Sequence, residues 1–176
     1  MEIIVTLVIA DSSNLILISK LELLDIFLEI YNEIIIPQAV YKESVEQGKE
    51  IKKIDAFFIE KRIREGKINV EKIKNIAGKN ELIDNFNLHE GEAEAIILFF
   101  EKKADLLGTD DYRTIKTCKI LKIRYYTTLS FIYLCFKDGK LSKEIVLLKL
   151  ENLETIGWYK RNLILYFKEK IKKEEE

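Results

Sequence analysis

The chain has 176 residues, 48% hydrophobic and 34% charged, which excludes a disordered chain and suits one domain with a full-sized core. Lys and Arg number 29 against 30 Asp and Glu, for a formal net charge of −1, so no global basic field attracts nucleic acid. Apolar runs are too short and too charge-interrupted to span a bilayer. The start MEIIVTLVIAD has neither the basic region nor the cleavage site of a signal peptide, and a cytoplasmic location is expected.

Ile3 to Ala10 is short, continuous and β-branched, and reads as a buried strand. DSSNLILISKLELLDIFLEIY carries Leu15, Ile18, Leu23, Leu24, Phe27, Leu28 and Tyr31 at helical spacing, so two short helices are expected, broken near Ser19–Lys20 and capped by Asp11 or a nearby Ser. EIIIP is a second strand, stopped by Pro37. Helices follow over QAVYKESVEQ, over Glu50 to Arg64 and over Lys79 to Phe86, with GKINVEKI as a small strand between the last two. In LHEGEAEAIILFFEKKA, the residues Ala93, Ile96, Ile97, Phe100 and Ala104 form one apolar helix face. DLLGT is a third buried strand. DDYRTIKTCKILKI is a helix with Ile115, Cys118 and Leu121 inward, and RYYTT is a fourth strand. LSFIYLCFKDG, SKEIVLLKLENL and the stretch from Trp158 are helical, and the tail IKKEEE is a charge run at a frayed end. Cys118 and Cys135 lie among apolar residues outside any C-x-x-C pair, and two cysteines make neither a disulfide framework nor a zinc cluster.

Strands alternating with helices imply an α/β fold with a central parallel sheet flanked by helices. In such sheets ligands sit beyond the carboxyl ends of the strands. Asp11 ends the first strand there, and Asp110 and Asp111 end the strand from Asp105 to Thr109, so these acids can converge. Glu43 in VYKES and Glu92 in GEAEA are further candidates for that edge. Clustered carboxylates repel one another unless a cation neutralises them. All-oxygen ligands without nearby Cys or His favour Mg²⁺ or Mn²⁺, which polarises a phosphate and supplies hydroxide from bound water. Acids alone then suffice to hydrolyse a phosphodiester.

Each acid also has a structural reading. Asp11 before SSN can be a helix N-cap, Asp110 and Asp111 turn and cap residues, and Glu92 a complement to the helix dipole. Glu43 sits between residues that look solvated. Glu94 lies about 200° round the helix from Glu92, so it is expected behind the ligands or at the surface. His89, the single histidine, is expected as a surface or capping residue. Other acid-based folds fit less well: a haloacid-dehalogenase-like phosphatase needs an aspartate at position 13, which is Ser, a response-regulator receiver needs paired acids after the first strand, and no phosphate-binding Gly loop is present.

IADSSNLILISKLELLDIF, IIIPQAVYKESV, LHEGEAEAIILFFEKKADLLGTDDYRT and YYTTLSFIYLCFKDGKLS resemble PIN domains in order and spacing, most closely the prokaryotic subgroup related to VapC-type toxins. The resemblance runs from Ile3 to Ser142. It implies a three-layer α/β/α fold, metal-dependent ribonuclease activity on RNA, frequent homodimers and, for VapC-type members, an antitoxin partner. It places the family's acids on Asp11, Glu43, Glu92 and Asp110, with Asp111 as substitute or additional ligand. Asp11, Glu92 and Asp110 are then the metal ligands, and Ser12, Thr109 and Arg113 candidate substrate contacts. The expected organisation is a nuclease domain over residues 1–142, with a helical insertion at 49–87 that serves as clamp, lid or dimer surface, and a helical extension over 143–176 packed on the same domain. Thr127 stands where the subgroup often has glycine.

For RNA, Lys42, Arg113 and Lys116 lie near the acids in sequence, and Lys61, Arg62, Arg64 and Lys67 form a second basic cluster. Both also read as solvated helix faces. Tyr112, Tyr125 and Tyr126 can stack on bases, though packing in a core or interface is the simpler reading.

Overall fold

A computed structural model describes residues 6–174 of the chain. The elements are β1 (Leu7–Ala10), α1 (Ser12–Lys20), α2 (Leu24–Ile30), β2 (Glu33–Pro37), α3 (Gln38–Tyr41), a π-helical stretch (Lys42–Gln47), α4 (Gly48–Glu50), α5 (Ile54–Arg64), β3 (Asn69–Glu71), α6 (Ile76–Phe86), α7 (Glu90–Lys102), β4 (Leu106–Gly108), α8 (Tyr112–Leu121), β5 (Tyr125–Tyr126), α9 (Thr128–Lys137), α10 (Lys143–Ile156) and α11 (Arg161–Lys173). The expected first strand begins at Leu7; its Ile3–Val5 portion lies outside the described residues, as do Glu175 and Glu176 of the tail. The described chain divides into two compact units, one ending at Tyr126 and one beginning at Thr127.

In the first unit all five strands run parallel in the order β3-β2-β1-β4-β5. Val8, Ile9, Ala10 and Ile34 to Ile36 are almost wholly buried, as the strands of a doubly covered parallel sheet must be. Alternation sends successive side chains to opposite faces. Ile9, Ile35 and Leu107 join Ala93, Ile96 and Ile97 of α7 and Cys118 of α8 on one face, with Tyr125 at its margin. Tyr126, one residue on, faces the other way, and its ring packs against Phe27 and Tyr31 of the α2 region at 6.1 and 5.5 Å. Helices therefore cover both faces of the sheet, which is the three-layer α/β/α arrangement.

The segment between 49 and 87 contributes more than helices. β3 extends the sheet, pairing Ile35 with Asn69 and Pro37 with Glu71, while α5 packs on α1 and α6 on α7. The break between the first two helices falls at Leu21–Leu23, where Glu22 takes a left-handed backbone (φ 58°), and a similar turn at Lys52 (φ 55°) starts the next helix at Ile54 rather than Glu50. Of the expected apolar face, Ala93, Ile96, Ile97 and Ala104 are buried and Phe100 is 52% exposed; Ala95 and Leu98 are buried as well, so the buried stripe is wider than the expected one. Glu94 is likewise buried, not at the surface: its Oε2 accepts a 2.9 Å hydrogen bond from the Ala39 amide, satisfying a donor at the start of α3.

In the second unit, α10 packs against both α9 and α11, with Val146, Leu150, Leu153, Ile164 and Ile171 fully buried. Thr127 caps α9 from an extended backbone (φ −114°) that any residue can adopt, so no glycine is needed there. Burial pushes the Cys118 and Cys135 thiols up to about 12, leaving both as inert core residues. Among the described residues no helix is long and apolar enough to cross a membrane.

Glu94→Ala removes the acceptor at the α3 terminus and leaves a buried amide unpaired, so chemical denaturation should show a loss of about 1–2 kcal/mol. An unchanged midpoint would mean that water serves that amide equally well.

Candidate functional site

The strand order reverses between β1 and β4: successive strands add outward through β2 and β3 on one side and through β5 on the other. A crevice beyond the carboxyl ends is expected at such a switch point. The register pairs Ala10 with Gly108, and the Asp11 amide continues the ladder by donating to the Gly108 carbonyl at 2.9 Å. Asp11 and the Thr109–Asp110–Asp111 turn are thereby held side by side, although Asp11 and Thr109 are far apart in sequence.

Asp11 is 1% exposed. Its Oδ1 caps α1, accepting from the Asn14 amide at 2.9 Å and from the Ser13 hydroxyl at 2.7 Å. Its Oδ2 is buried without a hydrogen-bond partner. Burial pushes its carboxyl up to about 7; Thr109, the Asn14 amide and Ser13 pull it down less, and Asp110 adds to the rise. Thr109 acts here through proximity, since Oδ2 meets no donor in hydrogen-bond geometry. The cap and ligand readings of Asp11 are thus compatible, because each engages a different oxygen.

The other acids follow related patterns. Glu92 returns Oε2 to the His89 amide at 2.8 Å in a capping box, so His89 is a helix cap. Burial raises the Glu92 pKa, and nearby Asp111 adds to the rise, while the His89 amide bond and Arg113 oppose it. Asp111 caps α8 by accepting from the Thr114 amide at 2.9 Å. The Arg113 guanidinium lies between Glu92 and Asp111, 3.9 Å from each. Glu43 is half-buried although its neighbours Lys42 and Glu46 are exposed. The π-helical stretch carries it, and Ser12 Oγ donates to its Oε2. Gly91 gives it room: a Cβ there would lie 2.9 Å from both Glu43 carboxylate oxygens.

Asp11, Glu43 and Glu92 line one open cleft of about 570 Å³ with Ser12, Ser13, Gln47 and His89. Asp110 joins this group through Ser13 and Asn14: its amide donates to Ser13 Oγ at 2.9 Å, and Asn14 Nδ2 donates to its Oδ2 at 3.1 Å. Asp111 meets Glu92 across Arg113. Thr109, offered above as a substrate contact, is fully buried, and its hydroxyl accepts from the Asp111 amide at 3.3 Å; it supports the turn from beneath. Ser13, Asn14 and Gly91 were not singled out by the sequence, since a Ser-Ser-Asn run reads equally well as cap residues and only the fold shows what they touch.

The second basic cluster lies elsewhere. Arg62 and Lys67 line a different cavity with Glu33 and Asn69, at the amino ends of β2 and β3, the edge opposite the acids. Arg62 pairs with Asp25 at 2.6 Å and Glu65 at 2.9 Å, Arg64 with Glu60 at 3.1 Å and Lys67 with Glu65 at 3.7 Å. Local acids neutralise them. Of the three tyrosines, Tyr126 is a core residue, Tyr125 is half-buried, and Tyr112 is 77% exposed near Arg113 and Lys116.

An all-oxygen set suits a hard divalent cation. Among the described residues no three His, Cys, Asp or Glu side chains form a closed metal-binding group. Mg²⁺, however, keeps several waters and takes one or two carboxylates rather than an all-protein cage. The buried, unpartnered Asp11 Oδ2 fits such an ion in charge and donor type.

The family model described as PIN domain matches residues 7–172. No match is found among curated proteins. The crystal structure of PAE2754 from Pyrobaculum aerophilum is similar to this chain at a TM-score of 0.48 and 11% sequence identity, over 63% of this chain and 85% of that one.

Two outcomes follow from the geometry. Asp11 binds its proton more tightly folded, at about 7, than unfolded, near 3.8. The folded state therefore holds more protons in that window, and metal-free stability falls as pH rises from about 4 to about 7. Asp11→Asn removes this contribution, so urea denaturation at pH 5 and pH 8 should differ less in the variant; an equal pH dependence would place Asp11 in contact with water. Gly91→Ala drives a methyl group against Glu43, and should destabilise the fold by about 1–3 kcal/mol unless the carboxylate swings away. Crystallography of the variant would show which happens.

Proposed function

The chain belongs to the PIN-domain family, whose members are generally nucleases that use divalent metals, and from that premise we propose that it is a metal-dependent endoribonuclease hydrolysing RNA phosphodiester bonds. The observation that carries the reading is the buried Asp11 Oδ2, an acidic oxygen without a partner, in the cleft that Glu43 and Glu92 also line. Asp11, Glu92 and Asp110 would hold Mg²⁺ or Mn²⁺, with Glu43 and Asp111 completing the acidic set. When bound, such an ion supplies Lewis acidity for a phosphodiester and a hydroxide equivalent at neutral pH. The chain's own part is positional. Ser12 holds Glu43 toward the cleft, the His89 amide fixes Glu92, and Ser13 links the Asp11 carboxylate to the Asp110 backbone. Arg113, 38% exposed beside two acids, would meet a phosphate there. A toxin role with an antitoxin partner and a homodimer belong to the same proposal; the exposed Ile51, Ile54, Phe57 and Phe58 supply an apolar patch for such a contact.

One set of contacts favours a second reading. Asp11, Glu92 and Asp111 each cap a helix, as they would in a non-catalytic module of the same fold that binds RNA or a protein. Cleavage of a pool of structured and single-stranded RNA, with Mg²⁺ or Mn²⁺ and with chelator, separates the two. Removing a hydrogen-bond partner of a metal ligand typically costs 10–100-fold, so losing a ligand in Asp11→Asn should slow cleavage at least about a hundredfold. Chelator-resistant cleavage, or equal rates for the variant, would contradict the metal-dependent reading. Absence of cleavage together with RNA retention would favour the binding module.

A further inference from the structure

A buried hydrogen-bond chain runs behind the acids. The Tyr126 hydroxyl donates to Asn14 Oδ1 at 2.9 Å, and Asn14 Nδ2 donates to Asp110 Oδ2 at 3.1 Å. Asn14 is fully buried and Tyr126 is 8% exposed. We propose that Tyr126 is a positioning residue for the metal site: by fixing the orientation of the Asn14 amide, it presents a donor to Asp110 and aims that carboxylate. The proposal rests on the nuclease reading above, since it assigns the chain to a metal ligand.

An asparagine amide has one accepting end and one donating end, and rotation by half a turn exchanges them. A hydroxyl hydrogen-bonded to a carboxamide oxygen holds that oxygen toward itself, which leaves the NH₂ for Asp110. Without the hydroxyl, the amide loses one of the contacts that fix its orientation, and the donor it presents to Asp110 is held less firmly. The Tyr126 ring is itself held, packed against Phe27 at 6.1 Å and Tyr31 at 5.5 Å. Gly108, the last residue of β4, leaves the passage open: a Cβ there would come within 2.3 Å of the Tyr126 hydroxyl oxygen and 2.4 Å of Asn14 Oδ1. Three separate features of the sheet and helices thus converge on one amide: a clamped ring, a side-chain-free strand end and a buried Asn in the first turn of α1. Groups that orient a metal ligand from behind change affinity without touching the ion.

The test is Mn²⁺ binding to the metal-free full chain, read by calorimetry and by the EPR signal of bound Mn²⁺, for wild type, Tyr126→Phe, Asn14→Ala and the double variant. Tyr126→Phe keeps the ring and its packing, so it reports the hydroxyl alone, and thermal unfolding checks that each variant is folded. The expected result is a Kd for Mn²⁺ raised about tenfold by either single change, with the double variant no weaker than Asn14→Ala, because Tyr126 acts through Asn14. Two results would overturn the proposal: a Tyr126→Phe affinity within twofold of wild type, or single effects that multiply in the double variant. Wild type that binds no Mn²⁺ would overturn both this inference and the nuclease reading; wild type that binds tightly beside an unaffected Tyr126→Phe would overturn this inference alone. Should Asn14→Ala fail to fold, the Tyr126→Phe affinity still decides.

Discussion

The candidate site depends on how β1 and β4 meet. Their ladder runs past the end of the strands, with the Asp11 amide bonded to the Gly108 carbonyl, so two turns from distant parts of the sequence share one edge. Parallel strands joined by crossovers place their carboxyl ends together, and a reversal of strand order opens a crevice there. Four acids of the candidate site are located with respect to that junction. Asp11 and Asp110 come directly from it. Glu92 comes from the start of α7, whose apolar face packs beneath the same strands, and Glu43 from the π-helical stretch that follows β2.

The same carboxylates cap helices and line the candidate site. Asp11 and Glu92 each use one oxygen on a helix terminus, where the first turn has unpaired amide donors. That bond fixes the side chain's rotamer, and the second oxygen is then set without further structure. In Asp11 this arrangement carries a cost, since the second oxygen is buried without a partner and the carboxyl is pushed up to about 7. Strain of this kind is what a cation would relieve. A cap alone needs no buried second oxygen, so burial of Oδ2 distinguishes Asp11 from Asp111.

Much of the fold was legible because it rests on local patterns. Continuous β-branched runs marked β1 and β2, helical spacing marked α7 and α8, and the acids after the strands marked the edge. Legibility ended where a contact, not a pattern, decides. The helical spacing leaves Glu94 either behind the ligands or at the surface, and only its bond to the Ala39 amide shows that it is buried. Phe100 reads as core with Ala93, Ile96 and Ile97, yet it alone of these is exposed, while Ala95 and Leu98 are buried too. The cluster of Lys61, Arg62, Arg64 and Lys67 reads as either a solvated helix face or a nucleic-acid surface, and the ion pairs of Arg62, Arg64 and Lys67 with local acids, at the edge opposite the acidic cleft, favour the first. Ser13, Asn14 and Gly91 gave no signal in isolation, because their roles exist only once β1, β4 and α7 are assembled. The π-helical stretch, which offsets Glu43 from the register of a regular helix, has no sequence signature; such bulges often accompany functional sites.

The claim that this edge holds a divalent cation is tested most directly by thermal unfolding of wild type and Asp11→Asn at pH 8 with and without Mn²⁺. At about 100 times Kd, a bound ion stabilises the folded state by roughly 2.7 kcal/mol, which for a chain of this size raises Tm by about 5–10 °C. That rise in wild type, absent from Asp11→Asn, is the result expected of a metal site at Asp11. A wild-type Tm that does not respond to Mn²⁺, or an equal rise in the variant, would contradict it.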